Sequence, residues 1–422
     1  MDIAKRLQEF RTGFSSTFWI ANTLELFERL AFYGSKAVLT KYLAEKVGLV
    51  EEAGTLAGLF SGLIFFLPIV AGVLVDKYGF RRTLLTCFAL FSVGYFLIGL
   101  AGVEFGESIV ATIGRKPYIL MVLLLTAVGG SLIKPCIVGT VAMTSRPESK
   151  GLAFSIYYTL ANLGGAIGPL VALQVREGLG IEYVLFMSSL TTFLLFFGTL
   201  LFFKEPEAPV ESERRTFAKV FQDMLLVFSN FKFITFLIIF SGFWLMFWQI
   251  YYLLPFYATD VLSFERFELL ETVDAVGIII LTVPMAALVR KWKPITAMTF
   301  GFLLSSFCWL IMGSIGTVTA AVIGIAIFAL GEAIQAPRFY EYVSNLAPKN
   351  QVGTFMGFSF LPVAIGSFGA GPIADWLRAN YLQTNPSMMW FIVGGIGIAS
   401  TLAMLLYNAL VSRSAGTANF KQ

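Results

Sequence analysis

Glu25-Leu26-Phe27-Glu28-Arg29-Leu30-Ala31-Phe32-Tyr33-Gly34, with Lys36 just beyond, lies inside an otherwise apolar segment running from Thr17 to Tyr42. At about 1.5 Å rise per residue, that segment is long enough to cross a bilayer as a helix. At about 100° per residue, Glu25, Glu28, Arg29, Phe32, Tyr33 and Lys36 fall on one side of it. A charge at mid-membrane depth costs roughly 2.5 to 3.5 kcal/mol, so four facing lipid would cost on the order of 10 kcal/mol. The stripe therefore turns away from lipid. One arrangement is a structural ion-pair lock between helices, with Glu25 and Arg29 offsetting one another at i, i+4; the other is a lined polar pathway. Two acids, two bases and two aromatics exceed what a lock needs and favour the pathway.

The rest of the chain agrees with a membrane setting. Of its 422 residues only 13% are charged, against about 25% in soluble domains, and the mean hydropathy is +0.79. A multi-pass protein of the cell membrane is expected, with the bilayer as its principal partner. Met1 to Ser16 is polar and charged, with no apolar core of its own, so it does not read as a cleavable signal peptide. The net charge of +4 comes from Lys and Arg dispersed among short loops, which argues against a nucleic-acid partner. Cys87, Cys136 and Cys308 lie in separate apolar segments without metal or redox spacing, and histidine is absent. No metal or cofactor is expected, and proton chemistry must run through carboxylates. Without a phosphate-binding glycine loop or a His/Cys/Asp cluster, an enzyme is not expected either.

Hydrophobic runs give twelve candidate spans, at about 17–43, 54–75, 82–102, 117–143, 151–175, 181–203, 232–258, 266–289, 294–315, 318–346, 352–376 and 386–411. Lys and Arg gather in the termini and the even-numbered loops, which places both termini in the cytoplasm. The polar stretch from Lys204 to about Lys219, with Pro206, Pro209 and the run Glu211-Ser-Glu-Arg-Arg215, divides the spans six and six. The expected organisation is a bundle over 1–204, a cytoplasmic linker over 205–231 whose Phe217–Phe231 part is an amphipathic surface stretch, and a second bundle over 232–422. Gly168-Pro169 in the fifth span returns as Gly371-Pro372 in the eleventh, and Pro68 is echoed by Pro284, a weak internal repeat.

Gly72-Val-Leu74-Val-Asp76-Lys-Tyr-Gly79-Phe-Arg81-Arg82, after the second span, resembles the signature of the major facilitator superfamily. The resemblance implies an all-α membrane protein with twelve transmembrane helices in two six-helix bundles and a substrate site between them. Gly79 suits a tight turn. Asp76, Arg81 and Arg82 become gating candidates, with Asp76 placed to accept from arginines or a helix N-terminus in one state and release them in another.

Four further stretches resemble the proton-dependent oligopeptide transporter family. They are Glu25 to Gly34; Leu132-Ile-Lys134-Pro135; Phe154-Ser-Ile-Tyr157-Tyr158-Thr-Leu-Ala-Asn162-Leu-Gly164; and Gly331-Glu332-Ala-Ile-Gln-Ala-Pro337 with Leu346-Ala-Pro348 and Gly353-Thr-Phe-Met356-Gly357. The resemblance implies proton coupling through Glu25, Glu28, Glu332 and Lys134. It implies capture of a substrate carboxylate by Arg29 and Lys134 and of the amino end by Asn162 and Glu332, with a Lys134–Glu332 pair holding one state closed. Lys36 and the aromatics Tyr33, Tyr158 and Trp244 are further candidates for the substrate cavity, although the choice between Tyr157 and Tyr158 stays open. The expected function is proton-coupled symport of di- or tripeptides or similar small zwitterions by alternating access, in a monomer, with the proton gradient as energy source.

The resemblance is incomplete. Phe247 and Trp248 stand in Phe243-Trp244-Leu-Met-Phe247-Trp248-Gln249 where many peptide transporters carry acids. Asp260 reads either as half of an outer gate with Lys41 or Lys46, or as a solvated loop acid. Glu271 reads as a rim residue and Asp274 as a deeper, inward-facing one, and Arg338 and Glu341 share a helix face. These departures keep an alternative open: the same fold carrying nitrate, another small organic anion or drugs by proton symport or antiport.

Overall fold

The structure, a computed structural model, describes residues 13–146, 149–206, 216–347 and 352–418. The run Glu211 to Arg215 and Pro348 lie outside the described residues. Those described are helical throughout apart from short turns, with one isolated bridge between Phe14 and Ser145 and no strand. In chain order the helices are α1 (Ser16–Glu45), α2 (Ala53–Phe66), α3 (Pro68–Tyr78), α4 (Phe80–Leu100), α5 (Glu104–Ile113), α6 (Arg115–Ser131), α7 (Ile133–Met143), α8 (Lys150–Gly178) and α9 (Ile181–Phe202). There follow α10 (Phe217–Ser229), α11 (Phe231–Tyr252), α12 (Phe267–Leu288), α13 (Pro294–Ser314), α14 (Val318–Leu346), α15 (Val352–Gly357), α16 (Leu361–Tyr381) and α17 (Pro386–Ala418).

Among the described residues ten segments are long and apolar enough to cross a membrane, and the bent pair α2–α3 makes an eleventh. Helix α1 has the length, at 30 residues, but carries the charged stripe. It completes the twelve expected crossings. Local chemistry sets the boundaries. Ser15, Asn230 and Thr317 each accept a backbone N–H from the first turn of the helix that follows. Pro68 and Pro294 occupy first-turn positions, where the missing N–H costs nothing. Pro68 also lies at the 48° bend between α2 and α3. Pro135 cannot donate back to Ser131, and the fourth crossing is interrupted at Leu132, between α6 and α7.

The chain forms two compact units: residues 1–50 with 66–220, and residues 51–65 with 221–422. The division falls within the expected linker, with one exchange, since the first half of the second crossing groups with the second unit. In the first unit α1 packs along α8 and α9, and α4 packs against α6 and α9. Small residues bring α1 and α8 together. A Cβ on Gly164 would lie 2.4 Å from the Leu26 carbonyl oxygen, and one on Gly168 would lie 2.7 Å from that of Leu30. Only glycine permits this backbone approach, which replaces the hydrophobic drive that lipid cannot supply.

In the second unit α13 packs on α14 and α17, and α11 on α16 and α17. Trp309 stacks on Trp390 at 5.1 Å in this core. Helix α2 docks on α16 through Gly54 and Gly58, where Cβ atoms would come within 2.8 Å of Gly371 O and 2.7 Å of Ser367 O. Asp375 then accepts from the backbone N–H groups of Gly54 and Thr55, at 2.8 and 2.7 Å, and from the Thr55 hydroxyl at 2.7 Å. A carboxylate supplied by α16 thus satisfies donors that the first turn of α2 leaves open.

Candidate functional site: a buried charge cluster on α1

Helix α1 delivers its charged stripe to the interior of the first unit. Glu25, Glu28, Arg29 and Lys36 are all buried, at 0%, 1%, 3% and 2% exposure. That burial is the outcome the insertion cost demands. Arg29 donates Nε and Nη2 to the two oxygens of Glu28, at 2.5 and 2.8 Å. The fork geometry matches a carboxylate and leaves little freedom to either partner. One turn back, Glu25 Oε1 lies 3.6 Å from Arg29 Nε and accepts the Tyr157 hydroxyl at 3.2 Å. Glu25 Oε2 is buried without a hydrogen-bond partner.

Aromatic rings shape the cationic side of the cluster. The Arg29 guanidinium lies 5.0 Å from the Phe32 ring centre, and Lys36 Nζ lies 5.1 Å from that of Tyr33. Lys134, half-buried on α7, is within electrostatic reach of Glu25, Glu28 and Arg29. The placement follows from packing. The Gly164 and Gly168 contacts fix the rotation of α8 against α1, and the break at Leu132 starts α7 just before Lys134.

The same rotation separates two neighbouring tyrosines. Tyr157 reaches Glu25, whereas Tyr158 is exposed. Asn162 is half-buried and donates its Nδ2 to the Tyr158 carbonyl at 2.8 Å. Consecutive helical residues point about 100° apart, so only one of the pair can face α1. Which one depends on tertiary packing.

The second unit carries its own buried polar set. Glu332 is half-buried on α14, and Trp244 is half-buried on α11 with its ring 5.1 Å from that of Phe247. Glu271 and Asp274 on α12 are both buried, at 1% and 5%. Arg338 pairs with Glu341 and donates to the Val289 carbonyl. Asp260 is exposed and accepts from the Thr259 hydroxyl at 2.7 Å, while in the first unit Lys41 pairs with Glu45 and Lys46 with Glu182.

At the turn between α3 and α4, Glu205 occupies the start of α4, accepting from the Phe80 and Arg81 N–H groups at 2.6 and 2.8 Å. Arg81 also donates to the Leu200 carbonyl, and Asp76 and Arg82 are exposed. Glu205 sits in a linker whose register against α4 no periodicity announces, so it escaped sequence reasoning. Among the described residues no group of three His, Cys, Asp or Glu side chains is arranged to hold a metal ion.

Sequence comparison aligns 365 residues at 25% identity with the multidrug resistance protein MdtH of Salmonella paratyphi B, covering 83% of this chain and 85% of that protein. MdtH of Salmonella choleraesuis aligns over the same length at the same identity. Among solved structures, a POT family transporter in complex with a thioalcohol conjugated peptide superposes with a TM-score of 0.76 over 93% of this chain and 96% of its own, at 16% identity. A POT family transporter in complex with 5-aminolevulinic acid gives 0.76 over 92% and 95%, also at 16% identity. These structural likenesses show a shared fold. The Major Facilitator Superfamily model matches residues 24–371, from the charged stripe of α1 to the Gly-Pro site of α16, and the chain belongs to that superfamily of transporters.

Proposed function

We propose that the chain is a proton-coupled secondary transporter that moves small peptide-like zwitterions across the cell membrane by alternating access, with both termini in the cytoplasm. The observation that carries this reading is the forked Arg29–Glu28 pair, buried beside Glu25 and within reach of Lys134. A proton arriving on Glu28 removes the forked partner of Arg29 and leaves the guanidinium only the more distant Glu25, 3.6 Å away, so a substrate carboxylate takes the vacated place. Lys134 adds a second positive charge to that end. Glu25, with a bare oxygen at Oε2 and Tyr157 on Oε1, is a second place for the proton. Substrate departure returns Arg29 to Glu28 as the proton leaves, so neither carrier form holds an unpaired charge in a dry site. Asn162, in the same unit, takes the amino end.

The driving force is adequate. A membrane potential contributes about 2.3 kcal/mol per charge per 100 mV, enough to concentrate a solute roughly fifty-fold. The fold shared with POT transporters that bind peptide-like ligands supports the substrate class. The test is counterflow in proteoliposomes with labelled dialanine, competed by excess dialanine, nitrate or ethidium. Dialanine exchange competed by dialanine alone is the expected result.

A second reading, proton-driven drug export, is favoured by the relation to MdtH over most of the chain and by Phe247 and Trp248, which enlarge the apolar share of α11. Ethidium exchange without dialanine exchange would select it.

A further inference from the structure

We propose that α5 lies flat in the lipid interface on the membrane face opposite the amino terminus, with Phe105, Ile109 and Ile113 seated in the leaflet. No crossing was expected between 102 and 117, and the structure folds that stretch into a helix of ten residues. Three crossings precede it, α1, the α2–α3 pair and α4, which sets the face. Its neighbours set the depth. Only Ala101, Gly102 and Val103 separate α5 from α4, and only Gly114, at φ +92°, separates it from α6. Three linking residues reach about 10 Å, so α5 stays level with the ends of the crossings that flank it.

The side chains of α5 sort by edge. Gly106 and Val110 are buried, and a Cβ on Gly106 would lie 2.0 Å from the Leu100 carbonyl, so this edge is pressed against the end of α4. Phe105, Ile109 and Ile113, at i, i+4 and i+8, are 67%, 48% and 43% exposed. They occupy an arc of about 80°. Glu104, Glu107 and Ser108 fall on the other edge. There a cavity of about 170 Å³ is lined by Lys46, Glu104, Glu107 and Arg115 among others, with Arg115 and Glu107 3.7 Å apart. A charged edge turned to water and an apolar edge left bare is the division of an interfacial helix. The bare edge also continues a lipid-facing belt, since Val93 and Phe96 on α4 and Met121 and Leu124 on α6 are exposed in the adjoining crossings. Lipid is therefore the occupant that covers it.

The native cysteines allow a direct test, because Cys87, Cys136 and Cys308 are all fully buried. Phe105→Cys, Ile109→Cys and Ser108→Cys are each labelled with bimane, reconstituted in phosphatidylcholine vesicles, and exposed either to lipid with a nitroxide near the glycerol or to aqueous iodide. The labels at positions 105 and 109 are expected to be quenched by the nitroxide lipid at least threefold more than the label at 108, with iodide giving the reverse order. Iodide quenching at 105 and 109 equal to that at 108 would place the edge in water and overturn the proposal. Protection of both labels from both quenchers would mean a protein partner covers it, and would overturn it equally. The two independent apolar positions guard against one variant failing to fold.

Discussion

Asp375 and Thr55, 320 residues apart in the chain, are joined by two hydrogen bonds of 2.7 Å, one to the Thr55 backbone N–H and one to its hydroxyl. With the Gly54 N–H also donating to Asp375, the start of α2 is capped by a side chain that α16 supplies. Asp375→Ala is expected to cost about 2 kcal/mol, the loss of a cap and of charge-assisted bonds. Thr55→Val, which removes the hydroxyl alone, should cost about 1 kcal/mol. Thermal unfolding in detergent, taken as a double-mutant cycle, should show the two changes to be non-additive; additivity would mean that the bonds do not hold α2 in place.

Arg29 holds Glu28 by two hydrogen bonds, from Nε and Nη2 to the two carboxylate oxygens. Arg29→Ala strands a buried carboxylate and is expected to destabilise the protein by about 3 to 5 kcal/mol. Arg29→Lys keeps the charge but not the fork, and should restore stability in part while leaving transport impaired. A melting curve that does not distinguish the parent from Arg29→Ala would show the pair to be solvated, contrary to its burial.

Tyr157 and Tyr158 offer a matched contrast. Tyr157→Phe deletes the donor to Glu25 and should cost about 1 kcal/mol, together with altered proton-driven uptake. Tyr158→Phe changes an exposed side chain and should leave both unaltered. Equal effects from the two variants, in stability and in initial uptake rate, would contradict the orientation of α8.

The glycines of α8 should differ as sharply. A Cβ at Gly164 would meet Leu26 O at 2.4 Å, whereas one at Gly151 meets nothing within 4 Å. Gly164→Ala should therefore force α1 and α8 apart and lower the melting temperature, and Gly151→Ala should be neutral or slightly stabilising. Comparable melting temperatures for the two would argue against the close approach of these helices.

Much of this architecture is legible in the sequence because lipid makes the rules strict. The helical spacing of Glu25, Glu28, Arg29 and Lys36 allows one buried face, and the structure buries all four. Tertiary choices were not legible. Pro68 announces a bend, but not that residues 51–65 would group with the second unit. Nor does any local pattern connect Asp375 to Thr55, or Glu205 to the start of α4. Glu271 lies early in its helix, and no local pattern announces that the packing of α12 on α14 encloses it. Helix α5 went unread because its short stretch of glycine, acids and scattered apolar residues resembles a loop until its ends are fixed by flanking crossings.

The central claim is that Glu28 exchanges its hold on Arg29 for a proton when substrate binds, and Glu28→Gln tests it most directly. In proteoliposomes, the measurement is dialanine counterflow beside dialanine accumulation driven by an imposed proton gradient. Counterflow near the parent rate with accumulation reduced at least tenfold is the predicted result. Gradient-driven accumulation equal to that of the parent would contradict the account.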